Sequence, residues 1–293
     1  MSVTMPPSRA SGRDRMHADA SPEARTQQAL AWLRDHASQA LRDGMARFAI
    51  PSDHALGVSM KDIQSLAKQL GKDHGVASAL WDTGVYEARM LAAYVEEPGR
   101  VTPAQMDRWC RDFDNWAVCD TLCFTLFDRT PYAFGKVVQW SSRRDEFQKR
   151  AAFALLASLA LHGRLEDESL YGDGLALIER EAHDDRNFVK KGVNWALRAI
   201  GRRAEWRAEA TVVAKRLSAS DAASARWIGK DALREFAKQP PKAKKTATTK
   251  GATKKAVAKN SAAKKAARKP SSAKSSANTT ASKITRSNVR GAN

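Results

Sequence analysis

Acidic residues are missing from the last fifth of this 293-residue chain. Residues 238–293 hold 16 Lys and Arg and no Asp or Glu. The formal net charge of +18 therefore sits almost wholly in that stretch, leaving 34 basic against 32 acidic residues in 1–237. Cysteine is scarce as well. Cys110, Cys119 and Cys123 form no CxxC pair, and the six histidines show no HxxxH spacing. That excludes a disulfide scaffold, fits a reducing cytoplasm, and gives no metal-site signature. Thiols at i, i+4 on an apolar stripe read as packing residues, so neither metal nor cofactor is expected. Long apolar runs are absent too. The longest, Ala151–Leu161, falls far short of the ~20 residues that cross a bilayer, so no membrane association is expected. The N-terminus is polar, without the apolar core of a secretory signal, and residues 1–20 read as a disordered leader.

Strand-like alternation is also lacking, and what fills residues 21–237 is helical periodicity. Ser21-Pro22, Ser59…Asp62, Thr102-Pro103 and Ser220-Asp221 mark helix starts. About a dozen helices follow, over roughly 22–47, 59–71, 73–82, 84–96, 102–112, 114–128, 131–141, 145–162, 167–182, 186–202, 204–218 and 220–237. After Arg150 the segment 145–162 is apolar on every side, so neighbours must cover it all round. Short-looped helices with such an inner member suit an all-α superhelix, or solenoid, better than a simple bundle. From Lys238 onward Lys, Ala, Ser and Thr prevail without an aromatic residue. That composition buries too little to offset chain entropy, so 238–293 is expected to be a disordered basic tail.

Three segments carry candidate chemistry. In the first, Trp116 and Asp120 lie one helical turn apart, with Cys123, Phe124 and Phe127 on the same face; Asp114, Thr121, Thr125 and Asp128 gather opposite. An ionised carboxylate on an apolar stripe needs a partner, a neutral state or a job. The second is Lys149-Arg150, where the sequence turns from charge to hydrocarbon. The third is 187–203, where Trp195 borders a stripe of Lys191, Arg198 and Arg202, flanked by Lys190 and Arg203. An aromatic beside cations fits a nucleic-acid backbone. Each element also has a plain structural reading. Both tryptophans read as core residues, Asp120 and Arg150 as a packing ion pair, and the cations as a solvated face.

Five segments together resemble the AlkD-like DNA alkylation repair proteins, built of HEAT-like helical repeats. They are Ala55–Met60, Tyr86–Ala92, Asn115–Asp120, Lys149–Ala152 and Val189–Trp195. The resemblance covers roughly 40–236. It implies a monofunctional glycosylase, a hydrolase that removes N3- or N7-alkylated purines from duplex DNA while the base stays stacked. It gives Asp120 the catalytic carboxylate, Trp116 and Trp195 the aromatic walls, and Arg150 a phosphate contact. It also implies an aromatic in the first repeat, for which Met45–Ile50 offers Arg47 and Phe48. The expected partner is double-stranded DNA, held by the core cleft (with Lys149, Lys190, Lys191, Arg198, Arg202 and Arg203) and by the tail from Lys238 to Arg290. A monomer is expected. The alternative is a non-catalytic HEAT-like protein that recognises damaged or branched DNA.

Overall fold

The computed structural model describes residues 20–240. Residues 1–19 of the expected leader and all of the basic tail beyond Pro240 lie outside the described residues. Thirteen α-helices and no strand occur among them. They are α1 (Pro22–Asp35), α2 (Gln39–Asp43), α3 (Met60–Leu70), α4 (His74–Asp82), α5 (Tyr86–Val95), α6 (Pro103–Arg111), α7 (Trp116–Thr125), α8 (Ala133–Ser141), α9 (Glu146–His162), α10 (Leu170–Glu181), α11 (Asn187–Gly201), α12 (Arg207–Ser218) and α13 (Ala223–Lys238).

Local chemistry sets the starts. Ser21, Ser59, Thr102, Asn115 and Asp145 each accept a hydrogen bond from a backbone N–H of the first turn. Ser59 also donates to Asp62 at 2.6 Å, so the expected capping-box pair meets through the Ser59 hydroxyl rather than through the Ser59 N–H. Three expectations fail. The helix expected over 22–47 divides, because Ser38 caps a new helix and its N–H is drawn to Gly57 O at 3.1 Å. The start expected at Ser220-Asp221 falls later: Ser220 Oγ accepts from Ala222 N instead, and α13 begins at Ala223. The helix expected to reach 128 ends at Thr125. Leu126 leaves helical geometry (φ −130°, ψ −61°), and a 3-10 turn follows over Phe127–Arg129. Asp128 is thereby turned inward, 2% exposed, rather than sharing a solvated face with Asp114.

The helices stack in two rows. α5, α7, α9, α11 and α13 contact one another in sequence, while α8, α10 and α12 form a second row against them. α9 lies in the middle, with α7, α8 and α11 its chief neighbours. Every residue from Arg150 to Ala160 is buried, as an all-round apolar helix requires.

One carboxylate joins the front of the stack. Glu87 on α5 is fully buried and accepts from the N–H groups of Leu56 (2.9 Å), Gly57 (2.7 Å) and Val58 (3.2 Å). This bond set links the segments Ala55–Met60 and Tyr86–Ala92. Gly57 sits at φ +81°, where a Cβ would lie 2.2 Å from Ser38 O, so only glycine fits.

Candidate nucleic-acid interface and active site

Asn115 caps α7 through Val118 N (3.0 Å) and thereby sets Trp116 in the first turn. The Trp116 indole Nε1–H donates to Phe48 O at 2.8 Å, tying α7 to the 3-10 turn Ala46–Phe48. Ala49, in the left-handed region at φ 54°, turns the chain away and leaves Phe48 58% exposed, with the Arg47 guanidinium 5.4 Å from its ring centre.

One turn along α7, both Asp120 oxygens are engaged by Arg150, from Nε at 2.9 Å and Nη2 at 2.7 Å. Arg150 Nη1 donates to Phe188 O on α11 at 2.8 Å. Three neighbouring helices of one row are thus joined through a single guanidinium. The pair is well enclosed, with Asp120 at 16% and Arg150 at 8% side-chain exposure. Burial pushes the Asp120 carboxyl up from its ordinary value, more than Arg150's charge and hydrogen bonds pull it down. Burial opposes the Arg150 charge too, but the Asp120 carboxylate holds the guanidinium above its usual value. A guanidinium does not give up its proton in a protein, so the unit is an ion pair with a thinly solvated carboxylate.

A further turn along, Phe124 stacks on Trp195 of α11, with ring centres 4.6 Å apart and planes 8° apart. Trp116, Asp120 and Phe124 follow at i, i+4 and i+8. Of the four residues expected to act together, Asp120 and Arg150 touch directly, Trp116 shares the α7 face with Asp120, and Trp195 is reached through Phe124 on that face.

A cleft of about 420 Å³ opens beside them, lined by Arg47, Phe48, Ala49, Trp116, Arg150, Asn187, Phe188 and Lys191. Asp120 and Trp195 do not line it. The first turns of α7 and α11 do, and their dipoles favour an anion there, although Val118 N is capped by Asn115 and Phe188 N donates to Glu146 Oε1 at 3.0 Å. Of the expected DNA-facing cations, Lys191 is exposed on this cleft and makes no ion pair among the described residues. Lys190 lies 5.4 Å from the Trp227 ring centre. The other four are engaged within the protein. Lys149 is 12% exposed between Glu181 (2.7 Å) and Asp184 (3.2 Å). Arg198 and Arg202 share Glu235, and Arg203 holds Glu168 at 2.8 Å. Glu181 and Glu235 lie on other helices and Glu168 and Asp184 in the segments flanking α10, which is why the cations look free in sequence. Cys119 and Cys123 point at the α9 carbonyls of Phe147 (3.7 Å) and Ala151 (3.5 Å), a packing arrangement. No helix of the described residues is long and apolar enough to cross a membrane.

The model of a family described as "DNA alkylation repair enzyme" matches residues 29–236. This chain belongs to the DNA alkylation repair enzyme family. The family match takes in every element of the site, from Phe48 to Trp195. Among solved structures, the chain resembles one described as "A new family of proteins related to the HEAT-like repeat DNA glycosylases with affinity for branched DNA structures". The two share a TM-score of 0.61 and 17% identity over 72% of this chain and 94% of that one. The likeness shows the HEAT-like helical-repeat fold. No curated protein matches the chain.

Proposed function

We propose that this family member is a monofunctional DNA glycosylase that excises N3- or N7-alkylated purines from duplex DNA. The observation carrying the reading is the enclosed Asp120–Arg150 pair between the Trp116 rim of the cleft and the Phe124–Trp195 stack. An alkylated purine is cationic and a good leaving group. When its bond to C1′ breaks, the electron pair goes to the base and positive charge develops on the deoxyribose. Asp120 stabilises that charge. Its thinly solvated carboxylate gains more from a nearby cation than one in water does. Arg150 occupies two of the roughly four lone-pair positions of a carboxylate, leaving the others for the sugar and a water. The water attacks C1′, its proton passes to solvent, and free base and an abasic site result. The indoles supply cation–π surface, and Arg47, Lys191 and the first turns of α7 and α11 hold phosphate.

The partner in this reading is double-stranded DNA, bound by a monomer in the cytoplasm and reached also by the 16 cations from Lys238 to Arg290. Release of 7-methylguanine from methylated duplex tests it. The full chain should release the base, and Asp120→Asn should slow release by about 10²–10³. A chain that binds duplex and releases no base would instead be a non-catalytic, structure-recognising DNA-binding protein. The engagement of both Asp120 oxygens by Arg150 favours that second reading, under which Asp120→Asn leaves DNA affinity unchanged.

A further inference from the structure

Asp128, in the 3-10 turn after α7, is a carboxylate that the proposed chemistry does not use. Its side chain has no exposure. Oδ2 accepts from Ser158 Oγ at 2.9 Å, lies 2.5 Å from His162 Nδ1 and 3.7 Å from Arg164 Nε. Oδ1 is buried without a hydrogen-bond partner. A sealed carboxylate requires nearby cations. Here its partners are not sealed in with it. His162 is 40% and Arg164 43% exposed.

His162 is held at Nδ1 and open at Nε2, while the Arg164 guanidinium lies in ion-pair range of Oδ2 without a hydrogen bond to it. With Nδ1 against Asp128, the ring of His162 is fixed and Nε2 is directed elsewhere, as in other carboxylate–imidazole pairs. Neither Nε2 nor the Arg164 Nη groups make a hydrogen bond among the described residues. The His162 ring also meets the edge of Phe124, 5.6 Å between centres at 80°. Phe124 is the ring stacked on Trp195. The outward donor His162 thus adjoins the aromatic pair, with Arg164 two residues further along the chain, on the side of Phe124 away from Asp120 in sequence.

We infer that His162 and Arg164, oriented by Asp128, form a second anion site that takes a phosphodiester of the bound DNA strand beyond the Phe124–Trp195 stack. The inference rests on the DNA reading above, though not on glycosylase activity. Asp128 gives the His162 ring a fixed direction, which costs little ordering on binding, and draws the Arg164 charge beside it. An arginine fork offers the bidentate geometry that phosphate oxygens accept.

The test is duplex affinity of the full chain on unmodified DNA across a salt series. Each lost phosphate contact removes about 0.9 from the slope of log affinity against log salt. Arg164→Gln should make the slope shallower by about 0.9. The triple change Asp128→Asn, His162→Gln, Arg164→Gln should make it shallower by at least as much and weaken duplex binding further than Arg164→Gln alone. The triple variant removes the buried charge along with its partners, and circular dichroism checks that it folds. Unchanged slopes in both variants would overturn the site and leave the cluster a structural one. If the unaltered chain fails to bind duplex at all, the DNA reading fails and takes this site with it. That outcome is distinct from binding with unaltered slopes.

Discussion

At the scale of single residues, the carboxylates divide by what surrounds them. Glu87 satisfies three backbone N–H groups at once. Glu87→Ala would leave those donors buried and unpaired, at about 1–3 kcal/mol for each that water does not reach. Thermal melting should fall markedly for Glu87→Ala and less for Glu87→Gln, whose amide oxygen still accepts. Asp184 shows the opposite electrostatic balance to Asp120. Burial alone would raise it, but hydrogen bonds and charge from Arg186 and Lys149 hold it down at about 2. Its folded value lies below its ordinary 3.8, so the stability it contributes is present above that value. The contribution is lost as pH falls through about 2. Urea midpoints of the unaltered chain should therefore drop between about pH 4 and pH 2 more steeply than those of Asp184→Asn.

At the scale of helices, close approach decides what each position tolerates. α12 and α13 cross where Gly229 has no side chain. A Cβ there would stand 2.3 Å from Ser218 N and 2.4 Å from Ala214 O, both backbone atoms that cannot swing aside. At Gly201 the clash is with the Phe236 ring, at 2.2 Å, which can rotate or shift. Gly229→Ala should therefore cost more than Gly201→Ala, with overpacking at the upper end of about 1–3 kcal/mol. Chemical denaturation of the two variants makes the comparison. The same scale explains what the sequence makes legible. Caps such as Ser59 and Thr102 are local, and an all-round apolar α9 announces its own burial. The face carrying Trp116, Asp120 and Phe124 is legible for the same reason. Asp128 is misread because a single residue, Leu126, ends the helical register. Phe48 O and Phe188 O, which hold Trp116 and Arg150, are backbone atoms that no side-chain pattern reveals. Glu235, Glu181 and Glu168 are legible as acids but not as partners, since only the fold brings them to Arg198, Lys149 and Arg203.

At the scale of the whole molecule, charge and site are separate properties of the sequence. Nearly all the excess positive charge lies after residue 237, whereas the family match ends at 236. Ending the chain at residue 240 should flatten the salt dependence of duplex binding strongly, since many phosphate contacts are lost together. If the glycosylase reading holds, base release at saturating DNA should persist in that truncation, and its loss would place part of the site in the tail. The row order of the helices bears on motion as well. Each helix touches mainly its neighbours, so opening spreads from one helix to the next and is easiest at the two ends. α9, covered on all sides, should show the slowest amide exchange in the chain. Arg150 sits on that helix and Asp120 on the one beside it. The pair is thus anchored where the stack breathes least, and thermal fraying at either end would reach it last.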